Sequence, residues 1–309
     1  MVKNITYYKN SNIKKKHRGS IILIGNFDGL HLGHQKLFHK ANILKKKTKL
    51  NVGVYTFDPI PKMFFFKYLK NYRISNFSQK LNLFKKFKVD FVINQKFNKK
   101  FSKINCDKFI ENILHKKLKA NYIFVSSNFR FGNKREGDVK LLKSLEKKYN
   151  YKIFEPSALK TKNKIISSTL IRSLLQKGQL HLANKYLGRK WSIEGNVMRG
   201  RQMGKKIGFP TCNIDIQNYV IAKPGVYAVK IFIEKNNKSL KGIANLGYRP
   251  TFNQNKILLE VNIFNFNKNI YNKKLTVQFL KFIRGEKKFS GVKQLRKQIL
   301  LDLKIAKKY

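Results

Sequence analysis

Short apolar runs alternate with longer amphipathic stretches over the first half of the chain. Residues 20–25 (SIILIG) are an apolar run ended by glycine, the pattern of a buried strand. In HQKLFHKANILKKK, Leu37, Ala41 and Leu44 recur at helical spacing. LNVGVYTF reads as a second strand, closed by the proline-containing DPIP. The same reading predicts helices over 76–88, over 107–119 and in KLLKSLEKKY, and extended segments at 89–93 (VDFVI), 122–126 (YIFVS) and YKIFEP. Strands alternating with helices predict an α/β domain built on a mostly parallel sheet. Such sheets bind ligands at the carboxyl ends of their strands.

The period changes between Leu187 and Ile193. From there to Arg284 the runs are strand-like: WSIEGNVM, GVYAVKIFIE, GIANLGY, ILLEVNIFNF and KLTVQFLKFIR. Turn-type residues separate them, which predicts a small antiparallel β-barrel. A closing helix follows, with Val292, Leu295, Ile299, Leu303 and Ala306 on one face. Two domains are therefore expected, 1–187 and 188–309. The second is expected to fold and act alone from about Lys190, since it has its own core and helix.

Charge is the loudest feature of the composition. The 309 residues include 68 Lys and Arg against 15 Asp and Glu, a formal charge of +53. That balance invites a nucleic-acid reading, because cations neutralise phosphates and release counterions. Only 11 of the basic residues are Arg, and the lysines spread over both halves without forming a stripe. Asn, Ile, Phe and Tyr are abundant too, and all of these have AT-rich codons. Mutational drift explains the pattern more simply, and no specific nucleic-acid partner is expected. The longest apolar runs, Ile21–Ile24 and Met63–Phe66, fall far short of the ~20 residues of a membrane helix, so no membrane partner is expected. The first ten residues have no apolar leader core. Cys106 and Cys212 offer no metal-ligand spacing, which with the rest points to a reducing, cytoplasmic home. Oligomeric state has no signature here.

The first candidate site is Gly25-Asn-Phe-Asp-Gly-Leu-His-Leu-Gly-His34, between the first strand and its helix. Backbone N–H groups at a helix start attract anions. Gly29 and Gly33 allow close approach of a ligand. His31 and His34 are placed to donate to phosphate oxygens as charge develops. The plainer alternative is a polar loop with two surface histidines. A second segment, Ile166-Ser-Ser-Thr-Leu-Ile-Arg172, opens another helical stretch. Ser167, Ser168 or Thr169 can cap that helix, and Arg172 one turn in can clamp phosphate. Capping alone also accounts for the hydroxyls.

Taken together, GNFDGLHLGHQKL, TFDPIPKMFF, SNFRFGNKREGD and ISSTLIRSLLQKGQLHLANKYLGR resemble, in order, segments of the bacterial bifunctional riboflavin kinase/FMN adenylyltransferase family. The resemblance implies a Rossmann-like nucleotidyltransferase domain in which Asn26, His31 and His34 face ATP phosphates. Asn128 then helps to hold the nucleotide or flavin phosphate, and Ser167, Thr169 and Arg172 complete the clamp. The chain departs from the family where Ser126 stands for Gly, Asn128 for the frequent Asp, and Phe57-Asp-Pro-Ile-Pro61 for FEPHP.

The second candidate site begins in GNVMRGRQMGKKIGFPTCNI, residues 195–214. Gly200, Gly204 and Gly208 make a loop able to wrap phosphates, though it is no Walker P-loop. PTCN resembles the PTAN motif of riboflavin kinases, with Cys212 as a small filler. The resemblance implies that Thr211 and Asn213 hold Mg²⁺ and ATP. It makes Glu260 the base for the riboflavin 5′-hydroxyl and has Arg284 bind flavin or phosphate. Strand alternation sets Glu260 opposite Leu259, Val261 and Ile263 but leaves open which face lines a pocket. GVYAV, IANLGYRPTF (243–252), Ile270-Tyr-Asn272 and IRGEKKF extend the match. Arg199, Lys205 and Asn265 are further departures. The expected activity is riboflavin to FMN, then FMN to FAD with release of pyrophosphate, using ATP in both steps. A chain with one degenerate half, and a lysine-rich nucleic-acid binder on an enzyme-like fold, are the competing readings.

Overall fold

The computed structural model describes residues 4–161, 164–199, 204, 207–234, 238–251 and 254–309, with backbone alone at 249–251 and 254–256. Gly200, Lys205 and Phe252 lie outside the described residues. The chain divides into two compact units. One comprises Met1–Lys70 with Phe77–Ser167, the other Asn71–Asn76 with Ser168–Tyr309.

The first unit is built on six strands: β1 (Thr6–Tyr8), β2 (Ile21–Ile24), β3 (Val52–Asp58), β4 (Phe91–Lys96), β5 (Tyr122–Phe124) and β6 (Lys152–Phe154). They lie in the order β1-β4-β3-β2-β5-β6, and every pairing is parallel. A parallel sheet is covered on both faces, so its strands read as unbroken apolar runs. β2 sorts accordingly. Ile22 and Ile24 enter one core with Tyr55 and Ile123, while Ile21 and Leu23 enter another with Val54 and Phe124. Gly53 is required by its neighbour, since a Cβ there would lie 2.2 Å from the Phe91 ring. The chain reverses direction across the sheet between β2 and β5. The loop leaving β2 therefore sits at a topological switch point, the usual ligand position in such sheets. That loop leads into α1 (Leu32–Thr48). Helix α2 (Phe77–Lys86) precedes β4.

Three local features differ from the sequence expectation. β1 and a small hairpin of β7 (Lys160–Thr161) and β8 (Lys164–Ile165) were not anticipated, being too short to show a period. The helix expected over 107–119 starts as α at Cys106–Lys108 and continues as a π-helix over Phe109–Lys117, with Leu118 N bonding Ile113 O at 3.0 Å. KLLKSLEKKY is broken at Leu145 (φ −98°, ψ 5°) into Val139–Ser144 and Glu146–Tyr149.

The second unit holds a closed six-stranded antiparallel barrel. Its strands are β9 (Ser192–Met198), β10 (Cys212–Asp215), β11 (Gly225–Ile233), β12 (Leu240–Thr251), β13 (Gln254–Ile263) and β14 (Lys274–Arg284). Closure removes the exposed edges that a small sheet would otherwise carry. Alternate residues, among them Leu246, Leu259, Val261, Val277 and Phe279, fill the interior. Helices α3 (Ser168–Gln176) and α4 (Leu180–Leu187) share that core through Ile171, Leu175, Ala183 and Leu187. The expected domain limit follows Leu187; by packing, residues 168–187 lie with the barrel. So does the strap 71–76. Trp191 donates its indole N–H to Ile74 O at 3.0 Å, and Val220 N bonds Arg73 O at 2.7 Å. Asn184 ties α4 to the barrel, accepting from Trp191 N (2.7 Å) and donating to Phe279 O (3.2 Å). Helix α5 (Val292–Ala306) lies against the outer faces of β11, β12 and β14.

Candidate active sites

In the first unit the Gly25–His34 loop follows β2. His31 has extended backbone (φ −66°, ψ 169°) and caps α1, its Nδ1 accepting the His34 N–H at 3.4 Å. The two imidazoles stack with centroids 3.7 Å apart. His31 is buried, and His34 has a buried Nδ1 with no hydrogen-bond partner. Burial, then the nearby His31, then Lys80 press the His34 imidazole well below its ordinary range, so it stays neutral. Asn26 likewise has a buried Oδ1 without a hydrogen-bond partner. Buried polar atoms are nearly always paired, so two such atoms in one loop mark a place prepared for a ligand. A Cβ on Gly33 would lie 3.1 Å from the Ile166 carbonyl oxygen. The start of the SSTxIR segment therefore lies beside the HxGH loop, with Ser167 next in the chain.

The SNFRFG segment leaves β5 as a loop closed by reciprocal backbone bonds between Phe131 and Gly137, both 3.0 Å. Gly132 has φ +78° and passes so close to Cys106 that a Cβ would meet its N at 2.8 Å. Two departures from the family pattern turn out to be partners: the Ser126 hydroxyl donates to Asn128 Oδ1 at 2.9 Å. Thr169 and Arg172 belong to the second unit. Thr169 is exposed. Arg172 is buried, donates from Nε to Tyr72 O at 2.7 Å and stacks 3.6 Å from the Tyr72 ring.

The second site is a cavity of about 510 Å³ between the barrel's outer face and α5. That volume suits a ring-system ligand. Gly204, Thr211, Asn213, Glu260 and Arg284 all line it. Register explains their convergence. Met198 pairs with Asn213, Asn213 with Glu260, Glu260 with Asn245, Asn245 with Val226, and Val226 with Arg284. One cross-strand row thus runs round the barrel, and strand alternation points it outward while Leu259 and Val261 point in. The question left open for Glu260 is answered: its face lines the cavity.

The loop before β10 is held from several sides. Gly204 O accepts Phe209 N at 2.8 Å and Ile207 N at 3.3 Å, and Asn262 donates to Pro210 O at 2.7 Å. Thr211 is exposed, and Asn213 is buried with no hydrogen-bond partner at Oδ1. Burial pushes the Cys212 thiol up to about 11, which suits the filler role expected of it. Arg284 makes a bidentate pair with Asp302 of α5, Nε to Oδ1 at 3.0 Å and Nη2 to Oδ2 at 2.8 Å, and donates from Nη1 to Gly285 O. Val292, Leu295, Ile299 and Leu303, the expected apolar face of α5, are the cavity wall.

Three residues of these sites escaped the sequence reading. Lys80 is fully buried beneath the first loop. Its signal is its position between Phe77 and Phe84 at helical spacing, on the apolar face of α2. Asn245 shares strand parity with Ile243, and Asp302 follows Ile299 by three on the apolar face of α5.

Residues 13–170 match the FAD synthetase family model and residues 187–309 the riboflavin kinase model. The chain is 42% identical to the bifunctional riboflavin kinase/FMN adenylyltransferase of Buchnera aphidicola subsp. Schizaphis graminum, covering 96% of each chain. It is 33% identical to the enzyme of that name from Escherichia coli K12, covering 94% of this chain and 93% of the other. A crystal structure described as a macrolide-efflux protein from Streptococcus pneumoniae superposes with a TM-score of 0.85 over 99% of both chains at 28% identity. Among the described residues no helix is long and apolar enough to cross a membrane. With family models matching both halves and relatives matching along nearly its whole length, the chain belongs to the bifunctional riboflavin kinase/FMN adenylyltransferase family.

Proposed function

We infer that this chain carries out both reactions of its family, phosphorylating riboflavin to FMN at the barrel cavity and joining AMP to FMN at the Gly25–His34 loop. The observation that carries the reading is the cross-strand row that gathers Asn213, Glu260 and Asn245 along one cavity. In sequence terms, adenylyl transfer is assigned to residues 1–187 and the kinase to 188–309.

In the kinase step the riboflavin 5′-oxygen attacks the γ-phosphorus of ATP, its proton passes to the Glu260 carboxylate, and ADP leaves. Thr211 and Asn213 would hold a divalent cation, which we take to be Mg²⁺. The buried, hydrogen-bond-free Oδ1 of Asn213 is the kind of oxygen donor it uses, and Mg²⁺ needs few protein ligands when phosphates supply the rest. When bound, the ion neutralises phosphate charge. Gly204 lets the loop approach the phosphates, and Arg284, which lines the cavity, binds flavin or phosphate.

In the adenylyl step an FMN phosphate oxygen attacks the α-phosphorus of ATP and pyrophosphate leaves. Asn26, His31 and His34 bind the phosphates and stabilise the charge that builds on them. Asn128 holds the nucleotide or the flavin phosphate, Ser167 binds phosphate in the same unit, and phosphate binding is assigned to Thr169 and Arg172 by their motif. The substrates are riboflavin, FMN and ATP, and the working compartment we assign is the cytoplasm, which suits two free thiols. The test is product analysis with riboflavin and Mg–ATP, in which FMN appears first and FAD follows. DNA retention with no flavin turnover would overturn the reading.

A further inference from the structure

Lys80 projects from α2 into the floor of the first site. It is 1% exposed, and lysine is almost never so deeply buried unless it is paired. Its Nζ donates to the carbonyl of Asn26 at 3.3 Å and to the Thr56 hydroxyl at 3.4 Å. The Thr56 hydroxyl also donates to Asn26 O, at 3.3 Å. The Asn26 carbonyl is thus held by two donors, Thr56 from the sheet and Lys80 from α2. What the lysine adds is a fixed positive charge at the carboxyl ends of β2 and β3, directly behind the loop that carries Asn26, His31 and His34.

We propose that Lys80 is a positioning residue of the adenylyl-transfer site, anchoring Asn26 from behind and placing a positive charge behind His34. The proposal rests on the adenylyl-transfer reading of this loop. The anchor acts through the main chain of Asn26, whose side-chain Oδ1 is buried without a hydrogen-bond partner and so is held ready for a ligand. The charge acts on His34. The groups bearing on that imidazole are His31, stacked on it from the loop, and Lys80 from α2; both disfavour a proton on it. The edge of the Phe27 ring lies 5.2 Å from it. A neutral His34 donates one N–H and keeps its geometry as phosphate charge develops. A charged one would change both its donor pattern and its stacking on His31.

The sign of the effect follows. Removing the Lys80 charge lets His34 take up a proton at higher pH, so the acid limb of adenylyl transfer moves up in pH. The experiment uses the full chain, with FMN and Mg–ATP, and measures kcat and KM across pH for wild type, Lys80→Met and Lys80→Arg. Loss of a residue that orients the groups touching the substrate typically costs about 10–100-fold. Lys80→Met is expected to lower kcat by about that much and shift the acid limb upward. Riboflavin phosphorylation in the same chain should be unchanged. Lys80→Arg should restore the limb towards wild type. In a His34→Gln background, Lys80→Met should no longer move it. A wild type that forms no FAD would defeat the adenylyl reading itself. A folded Lys80→Met with wild-type rate and limb, or a first unit that unfolds in both Lys80→Met and Lys80→Gln, would overturn the proposal.

Discussion

Asn213 of β10 stands directly opposite Glu260 of β13, so the expected metal ligand and the expected base are cross-strand neighbours on one outward face. Glu260→Gln keeps the shape of that face and removes the base. General-base loss costs about 10²–10⁴-fold, and FMN formation should fall by that factor. FAD formation from supplied FMN should persist. A variant with full kinase rate would remove Glu260 from the mechanism.

His31 carries two duties that substitution can separate. It caps α1 and is a candidate donor to the nucleotide phosphates. His31→Ala should slow adenylyl transfer by about 2.7–4 kcal/mol of barrier, by analogy with loss of one oxyanion donor. It should also lower stability by up to about 1 kcal/mol through the lost cap. His31→Asn restores a capping side chain, so it should recover the melting temperature and not the rate. Recovery of both would reduce the residue to a cap.

The Arg284–Asp302 pair pins α5 over the kinase cavity, with the two side chains 16% and 3% exposed. Removing one partner of a buried pair strands the other charge at a cost of about 3–5 kcal/mol. Asp302→Ala should therefore lower the melting temperature of the second unit and raise the KM for riboflavin as the α5 wall loosens. Adenylylation of FMN should keep its rate. An unchanged riboflavin KM would show that the pair serves stability alone.

A C-terminal fragment needs more chain than the strand pattern suggests. A cut at Lys190 removes α3 and α4 and exposes the core surface that Ile171, Leu175, Ala183 and Leu187 cover. It also strips Trp191 N of its Asn184 partner. A fragment from Ser168 should fold and phosphorylate riboflavin, whereas one from Lys190 should melt lower. Equal melting temperatures would show that the helices add nothing to the barrel.

Long, strongly periodic elements were legible in the sequence: β2, α1, five of the six barrel strands and the apolar face of α5, whereas the four-residue β10 was not. Gly204, Thr211, Asn213, Glu260 and Arg284 were named from their motifs, and the structure gathers them along one cavity. What escaped depends on the third. β1 is three residues long and exists by pairing with β4. Asn245 becomes a site residue only through its register with Glu260. Lys80 looked like one lysine among many, until burial set it apart. Residues 168–187 share their apolar face with the barrel, while the motif that opens them resembles a nucleotidyltransferase segment.

The central claim is that two separate sites on one chain act in sequence. Glu260→Gln and His31→Asn test it together, each supplied with riboflavin and Mg–ATP, alone and mixed. The account predicts that Glu260→Gln alone makes almost no flavin nucleotide, that His31→Asn alone stops at FMN, and that the mixture forms FAD. Loss of both products in either folded variant, or a mixture that accumulates FMN without FAD, would contradict it.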